Sequence, residues 1–385
     1  MYNVLTLNKI SPIGTDRLGA GYTFGDAVEN PEAVLVRSAS MHDMEMPESL
    51  LAIARAGAGT NNIPVTDCAD KGIVVFNTPG ANANAVKELV IAGLLLSSRK
   101  IVAGIKWAET LKGNGDAVGK MIEKGKSQFV GPEIMGKTLG IVGLGAIGIL
   151  VANAATALGM KVIGFDPFMS VNNALKLDSS VVLKNSAEEV LVNSDYVSIH
   201  VPLTNDTKDM VNADVMAKMK DGVRSLHYSR YGLVNNEALI EALNSGKVAA
   251  YVTDFGDAAV LGVEGVTVMP HLGASTPESE ENCAVMAVDQ VKEYLENGNI
   301  ITSVTFPAVS MARTGDARVC VMYKNDADAL SKIVAAVSDN AKVENMESKS
   351  RGDYAYAVID TTGATDAVAS AVEAVDGVIR VRVIK

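Results

Sequence analysis

The first hundred residues alternate short apolar runs with segments of helical periodicity. Val34–Val36 and Ile73–Val75 are continuous apolar runs, typical of buried strands. Leu50–Ala56 and Asn84–Ser97 have the apolar spacing of helices, and the second is long and mostly apolar. Because strands separated by helices usually pair in parallel, this region predicts a parallel α/β sheet.

The same alternation restarts after a polar connector, rich in Gly and Lys, at residues 113–136. Further apolar runs predict strands separated by helical segments, so two α/β units follow one another between residues 1 and 305. The strands predicted in the second unit are Thr138–Val142, Val162–Phe165, Tyr196–Ile199, Val248–Val252 and Val266–Met269.

The pattern changes from Ala317 onward. A strand, a helix, two strands, a helix over residues 365–375 and a last strand follow one another up to the end of the chain. The order βαββαβ predicts a ferredoxin-like unit, and residues 306–315 form the predicted linker to it.

Length and charge limit the classes of protein that fit this pattern. A chain of 385 residues is too long for one ordinary hydrophobic core, so we expect two or three domains. The formal net charge of −11 argues against a broad surface for nucleic acid or anionic lipid, because both need a basic face. The longest apolar run, around Val90–Leu96, is too short to span a bilayer. We therefore expect neither nucleic acid nor a membrane as a partner.

The cysteines and the start of the chain predict the compartment. Cys68, Cys283 and Cys320 are far apart and lack Cys-x-x-Cys spacing, so we expect neither a disulfide framework nor a thiolate metal site. No metal is predicted. The first residues lack a charged segment followed by an apolar one, as a signal peptide would have, and we expect a cytoplasmic protein.

A Gly-x-Gly-x-x-Gly motif at residues 143–148 predicts a dinucleotide site. It follows the apolar strand Thr138–Val142 and opens an apolar helix, which is the context that this chemistry requires. Gly143 permits a tight turn, Gly145 lets the backbone approach a pyrophosphate, and Gly148 lets helix and strand pack closely. Ala146 and Ile147 start the helix whose free amides would face the phosphates.

Asp166 predicts which dinucleotide binds. It lies 18 residues after Gly148, at the end of the next strand. A carboxylate at this place accepts hydrogen bonds from the ribose hydroxyls of NAD and repels the 2′-phosphate of NADP. No Arg follows Asp166 closely, so NAD is the predicted cofactor.

Two residues that follow predicted strands fit the oxidation of a 2-hydroxy acid. His271 comes directly after Val266–Met269, and the carboxyl ends of the strands form the ligand crevice in such sheets, so His271 is the candidate acid/base. Arg230 follows another apolar strand, and its guanidinium suits a 2-oxo-acid carboxylate. His200 also ends a strand, where it either lines the cofactor cleft or has a structural role.

With these motifs in place, the chain resembles the D-isomer-specific 2-hydroxyacid dehydrogenases, and most closely the members of that family that act on 3-phosphoglycerate. The resemblance covers nearly the whole chain. The segments that carry it are Ala56–Asn62, Asn77–Gly80, Val86–Leu89, Gly136–Gly148, Ser229–Arg230 and Pro270–Thr276.

The resemblance implies a domain arrangement. A Rossmann domain at residues 99–279 would be inserted in a flavodoxin-like substrate domain at residues 1–98 and 280–305. Residues 316–385 would form an ACT-type domain with a role in regulation or dimerisation. Members of the family are typically homodimers or homotetramers, which we also expect here.

The resemblance also implies residue roles. Arg230 would bind the 2-oxo acid and His271 would be the acid/base, while the backbone at Ala58 and Gly59 would bind the substrate carboxylate. Arg37 matches a position near the substrate phosphate. The positions that would contact the cofactor are Pro202, Thr204, Ser229, Asp254 and Gly273, with Asp254 at the nicotinamide carboxamide.

The sequence departs from the family at three places. The Glu-Pro pair whose Glu orients the catalytic His is missing from Thr253–Ala259, and Asp257 is the predicted substitute, with Asp254, the remote Glu264 or no carboxylate as alternatives. His227 replaces the Asn usually found three residues before the Arg. The loop at Asn325–Asp328 lacks the Gly of serine-binding ACT domains. Two roles of this domain are therefore open: it binds an L-serine effector through Asn325 and Asn345, or it only dimerises.

The resemblance implies NAD-dependent oxidation of 3-phosphoglycerate to 3-phosphohydroxypyruvate, the first step of L-serine biosynthesis. The alternatives are oxidation of another D-2-hydroxy acid, such as 2-hydroxyglutarate, glycerate or lactate, and a non-catalytic NAD sensor. The missing Glu-Pro pair favours the sensor, whereas His271 and Arg230 favour an enzyme.

Overall fold

The computed structural model describes residues 1–364 and 366–385, which form two compact units. The first unit contains Met1–Asn82 and Pro277–Lys385, and the second contains Ala83–Thr276. Thr365, where the second helix of the C-terminal domain was predicted to begin, lies outside the described residues. Within the described part of the chain, no helix is long and apolar enough to cross a membrane.

Parallel and antiparallel strands occupy separate parts of the chain. The strands are β1 (Tyr2–Leu7), β2 (Tyr22–Gly25), β3 (Ala33–Val36), β4 (Ala52–Arg55), β5 (Val74–Phe76), β6 (Thr138–Val142), β7 (Lys161–Phe165), β8 (Val182–Leu183), β9 (Tyr196–Ile199), β10 (Val223–His227), β11 (Val248–Thr253), β12 (Val266–Val268), β13 (Ala317–Lys324), β14 (Lys342–Arg351), β15 (Tyr354–Thr362) and β16 (Val378–Ile384).

Helices connect most of these strands. They are α1 (Pro12–Thr15), α2 (Val65–Asp70), α3 (Ala83–Ser98), α4 (Ile101–Glu109), α5 (Val118–Gly125), α6 (Ala146–Ala157), α7 (Val171–Ala174), α8 (Ala187–Val192), α9 (Ala213–Lys218), α10 (Asn236–Asn244), α11 (Pro277–Asn297), α12 (Ala329–Ser338) and α13 (Asp366–Glu373). Gly115–Ala117 and Lys126–Phe129 form short 3-10 turns.

The first unit contains a five-stranded parallel sheet in the order β2-β1-β3-β4-β5. This is the flavodoxin-like order, as predicted. Strand β3 is buried along its whole length, which explains its continuous apolar sequence. Leu50–Ala56, predicted as a helix, contains β4 instead, because a seven-residue run of mostly apolar residues is too short for its periodicity to separate helix from strand.

Helix α11 packs on this first sheet. Its buried residues include Ala284, Val288, Val291 and Leu295, which recur every three or four positions and so form one apolar face. Helix α1 approaches α11 so closely that a Cβ on Gly14 would lie 2.7 Å from the Cβ of Ala284.

The second unit contains a seven-stranded parallel sheet in the order β12-β11-β10-β9-β6-β7-β8. The strand order reverses between β6 and β9, which makes a Rossmann fold with its ligand crevice at that point, as predicted. Helix α3 packs against α6, β10 and β11, with Val90 and Leu94 in the core of this unit. The compact units therefore divide at residues 82/83 and 276/277, whereas the sequence predicted domain boundaries at 98/99 and 279/280.

The C-terminal sheet is antiparallel, with the order β14-β15-β13-β16 and two helices in a βαββαβ chain order. This is the predicted ferredoxin-like topology. Helices α12 and α13 cover one face of the sheet, where Val319 and Ile359 are buried. Residues of the opposite face, Cys320, Met322 and Val358 among them, share a core with α11 and the first sheet. The C-terminal domain is therefore part of the first compact unit.

A buried ion pair holds the C-terminal sheet to the end of α11. Arg318 donates two hydrogen bonds to Asp360, at 2.6 and 3.0 Å, and one to the carbonyl of Asn297 at 2.8 Å. Arg382 donates to the carbonyls of Tyr294 and Leu295, at 3.2 and 3.0 Å. Two cations thus bind the last carbonyl groups of α11, at the negative end of its dipole.

We expect Arg318→Met to destabilise the protein by about 3–5 kcal/mol, because it leaves the carboxylate of Asp360 buried without its partner. Burial raises the pKa of Asp360, but the bonds from Arg318 and Thr314 outweigh burial and leave this pKa below its usual value. In the variant the pKa should rise, so lowering the pH towards 4 would protonate Asp360 and narrow the stability difference from wild type.

Urea unfolding at pH 7 and pH 4.5 measures this effect. Lys332→Met is the control, because Lys332 and Asp328 are exposed and 3.9 Å apart. Equal stability of the two variants at pH 7 would show that the buried pair does not hold the domain.

Candidate functional site

The turn after β6 has the geometry that its glycines predict. Gly143 has φ +94°, in the left-handed region, and a Cβ there would lie 2.5 Å from the carbonyl oxygen of His200. A Cβ on Gly148 would overlap the carbonyl oxygen of Gly143. Glycine at both positions therefore lets α6 begin directly against the end of β6.

Gly145 leaves the start of α6 open. It is the N-cap of the helix, no side chain caps the free amides of Ala146 and the residues that follow, and a Cβ at Gly145 would meet no atom within 4 Å. Unpaired amides at the positive end of a helix, with open space in front of them, fit the pyrophosphate of a dinucleotide.

Asp166 extends this site to the end of β7. Its carboxylate accepts hydrogen bonds of 2.8 Å from the backbone amides of Leu144 and Phe168. The carboxylate is thereby fixed beside the glycine turn, where it can receive the ribose hydroxyls of NAD. It also orders the turn itself, a structural role that the motif did not reveal.

The other predicted cofactor residues lie at the carboxyl ends of β9 and β10. The ring of His200 bonds to Ser198 Oγ at 2.8 Å, and desolvation lowers its pKa to about 3, so the ring is neutral at physiological pH. Ser229 Oγ donates to the carbonyl of Ile199. Pro202 and Thr204 belong to an exposed turn that Thr207 closes, with bonds to the Pro202 carbonyl at 2.7 Å and to Thr204 Oγ1 at 3.1 Å.

Arg230 and His271 are exposed side chains at the ends of β10 and β12. Arg230 Nη1 donates to the carbonyl of Ser229 at 2.7 Å. The ring of His271 packs against Phe255, with ring centroids 4.4 Å apart. Both side chains are therefore available to a ligand in the second unit.

Asp254 is the carboxylate whose charge interacts with both of these residues. It is buried, and its Oδ2 accepts a hydrogen bond of 3.3 Å from the amide of Gly273, two residues after His271. Burial raises the pKa of Asp254, while the charges of His271 and Arg230 oppose that rise. Asp254 thus anchors the loop that carries His271.

Asp257, the predicted orienting carboxylate, is engaged elsewhere. Its Oδ2 accepts from Asn236 Nδ2 at 2.7 Å, and its Oδ1 accepts from the amide of Ala259 at 2.9 Å. These bonds fix the loop after β11 and direct the carboxylate towards Asn236 and Ala259. Among the predicted alternatives, the contacts therefore favour Asp254 over Asp257 as the carboxylate that acts on His271.

The predicted substrate residues of the first unit surround a second glycine turn. Asn77 Nδ2 donates to the carbonyl of Ala58 at 2.7 Å, which fixes the turn at Ala58–Gly59. Arg37 pairs with Glu280 at 2.6 Å, with both side chains about half exposed.

The sequence prediction missed Arg55, at the end of β4. Its Nε donates to the carbonyl of Arg37 at 3.1 Å, and its guanidinium lies against Gly57, where a Cβ would overlap it. A cation that ends a buried strand, directly before a glycine turn, was the available signal.

Comparison with known proteins identifies the family. Residues 92–273 match the family described as "D-isomer specific 2-hydroxyacid dehydrogenase, NAD binding domain". The chain is 31% identical over 348 residues to a putative D-3-phosphoglycerate dehydrogenase of Schizosaccharomyces pombe, covering 84% of this chain and 71% of that protein. The chain belongs to the D-isomer-specific 2-hydroxyacid dehydrogenase family. NAD is the cofactor of its Rossmann domain.

A relative from Bacillus subtilis is longer than the region that it shares with this chain. The D-3-phosphoglycerate dehydrogenase of Bacillus subtilis is 33% identical over 294 residues, covering 74% of this chain and 53% of that enzyme. The chain thus spans about half the length of this relative. Among solved structures, a glyoxylate reductase of Paecilomyes thermophila has a TM-score of 0.65 and 25% identity, covering 79% of this chain and 98% of that chain.

For the nucleotide site, we expect Gly145→Ala and Gly148→Ala to separate cofactor binding from folding. The Cβ of Gly145→Ala fits without a clash, so the melting temperature without cofactor should stay unchanged while NADH affinity falls by about tenfold or more, since the methyl group occupies the pyrophosphate side. Gly148→Ala should lose both stability and NADH affinity.

Thermal unfolding without cofactor and NADH fluorescence titration measure the two effects. Gly119→Ala is the control, because a Cβ at this position would meet no atom within 4 Å and the φ of Gly119 is not positive. Gly222→Ala is unsuitable as a control because Gly222 has a positive φ. Wild-type NADH affinity in Gly145→Ala would contradict the assignment of this turn to the pyrophosphate.

Proposed function

We propose that the protein is an NAD-dependent D-3-phosphoglycerate dehydrogenase, which oxidises 3-phosphoglycerate to 3-phosphohydroxypyruvate in the first step of L-serine biosynthesis. The observation that carries the proposal is the grouping of Arg230, His271 and Asp254 at the carboxyl edge of the NAD-binding sheet. The names of the matched relatives from Bacillus subtilis and Schizosaccharomyces pombe support this choice of substrate.

The proposed roles follow from the chemistry of each group. The guanidinium of Arg230 binds the carboxylate of the 2-hydroxy acid and polarises the oxygen at C2. His271 takes the proton of the C2 hydroxyl, and the nearby charge of Asp254 stabilises the imidazolium that forms. NAD, when bound, supplies the acceptor for the hydride from C2.

Arg37 and Arg55 are the proposed determinants of the phosphorylated substrate. The two residues are joined by the bond from Arg55 Nε to the Arg37 carbonyl, beside the turn at Ala58–Gly59. Two guanidinium groups suit a phosphate dianion, and the amides of the turn suit a carboxylate.

A dehydrogenase of an unphosphorylated 2-hydroxy acid is the second candidate. The pairing of Arg37 with Glu280 favours it, because a carboxylate already neutralises this cation. The glyoxylate reductase named above shows that such an activity occurs on the same fold.

We also propose a homo-oligomer, dimer or tetramer, whose contacts include α4 and α5. Helix α4 has no buried residue, and the apolar side chains of Ile101, Ile105 and Ile122 are exposed. A second copy of the chain would cover them. The three buried free cysteines are compatible with the proposed cytoplasmic location.

The proposed L-serine effector would bind the C-terminal domain. Asn325 Nδ2 donates to the carbonyl of Gly352 at 3.1 Å, and Asn345 Oδ1 accepts from the amide of Met346 at 2.9 Å. Both amides already have local partners, so an amino acid would have to displace or extend these bonds. Dimerisation without an effector remains the alternative role of this domain.

We expect purified protein to oxidise NADH with 3-phosphohydroxypyruvate at a kcat/KM at least about tenfold above that with pyruvate, hydroxypyruvate or 2-oxoglutarate, since only the first presents a phosphate to the arginines. Arg55→Met should lower kcat/KM for the phosphorylated substrate by about 10–100-fold and leave hydroxypyruvate nearly unaffected.

Arg17→Met is the matched control, because Arg17 is an exposed arginine that pairs with Asp289. Assays with and without L-serine test the effector. Turnover of unphosphorylated acids alone would replace the proposal with the second candidate, and NADH binding without turnover of any substrate would refute both.

A further inference from the structure

The structure suggests how His271 is oriented without the usual Glu-Pro pair. A ring that exchanges a proton with substrate must be held in one orientation. The residue that packs against His271 is aromatic: the centroid of Phe255 lies 4.4 Å away, and the two rings are inclined by 51°. Phe255 is only 8% exposed, so it offers His271 a fixed apolar surface.

Contacts on its other sides hold Phe255 in place. The ring of Tyr231 lies nearly perpendicular to it with centroids 5.2 Å apart, and the ring of His227 lies 6.1 Å away. The backbone amide of Phe255 donates to Thr253 Oγ1 at 2.9 Å, and Thr253 donates in turn to the carbonyl of His227 at 2.7 Å. Gly256 lies so close to Val268 that a Cβ would overlap its side chain, which keeps the backbone after Phe255 against β12.

His227 acts in this cluster as a neutral ring. It is 2% exposed, its Nδ1 bonds to the hydroxyl of Tyr251 at 2.8 Å, and desolvation lowers its pKa to about 4. Two departures from the family therefore lie close together near the active site. His227 contacts Phe255, which belongs to the segment that lacks the Glu-Pro pair. His227 supports the aromatic ring that packs on His271.

The carboxylates near the loop of His271 make other interactions, so we assign the orientation of the His271 ring to Phe255. Asp257 is occupied by Asn236 and Ala259. Asp254 interacts with His271 through its charge, and its Oδ2 binds the amide of Gly273. The charge of Asp254 interacts with both His271 and Arg230, whereas the ring contact of His271 is with Phe255.

We propose that Phe255, supported by His227 and Tyr231, is the positioning residue that orients His271 for proton transfer. The proposal rests on the proposed function, in which His271 is the acid/base. Phe255 thus supplies orientation, while Asp254 supplies the compensating charge.

The test compares Phe255→Leu, which removes the ring, with Phe255→Tyr, which keeps it. In NADH oxidation, Phe255→Leu should lower kcat by about tenfold or more with little change in KM or NADH affinity, and Phe255→Tyr should restore most of the rate.

An NMR experiment tests the contact without relying on turnover. The chain has four histidines, so His271→Ala identifies the ring signals of His271. These signals should lose an aromatic ring-current shift in Phe255→Leu and keep it in Phe255→Tyr. Phe306→Leu is the control, because Phe306 is buried in the first unit against Tyr354, and it should leave the His271 signals unchanged.

The outcomes separate the two proposals. Failure of wild type to turn over any 2-oxo acid would refute the proposed function, while the ring-current shift would still test the contact. An active wild type whose Phe255→Leu variant keeps its kcat and its His271 signals would overturn the role of Phe255 and leave the function intact.

Discussion

Parallel strand pairing is the constraint on which the candidate site depends. In a parallel sheet all carboxyl ends lie at one edge, so residues far apart in sequence are brought together when each lies at the end of a strand or within three residues after it. In the second unit this holds for every strand from β6 to β12 except β8. The residues in question are Gly143, Asp166, His200, Arg230, Asp254 and His271. In the first unit Arg37 follows β3 and Arg55 ends β4.

Because of this constraint, much of the fold and of the site could be predicted from the sequence. The glycine turn was predictable because its requirements are local, as the φ of Gly143 and the close approach at Gly148 show. The order of strands and helices predicted parallel α/β units and the ferredoxin-like unit, whereas the flavodoxin-like and Rossmann topologies were implied by the resemblance to the family. Arg230 and His271 became candidates because each follows an apolar strand.

Some of the remaining features depend on tertiary contacts, and for others a local signal was missed. Asp257 lies close to Asp254 in sequence, but the loop after β11 turns its carboxylate to Asn236. The position of Arg55 depends on the unusual backbone of Gly57, with φ +154°. The sequence also contained a signal for the burial of the C-terminal sheet, which was missed. Strand β13 is buried from Ala317 to Tyr323, and a mostly apolar run on both faces of a strand indicates a sheet covered on both sides.

The way in which His271 is held has a consequence for the electrostatics of the site. A carboxylate bonded directly to an imidazole fixes the ring and its tautomer and also stabilises its charge, so one residue has three effects. Here Phe255 contacts the ring, while Asp254 interacts with it through charge alone. The hydrogen bond that Asp254 accepts comes from the amide of Gly273. The carboxylate of Asp254 interacts with the charges of His271 and Arg230, and both interactions oppose the effect of its burial. In the proposed reaction, a substrate carboxylate that pairs with Arg230 would offset the repulsion between that cation and the imidazolium of His271.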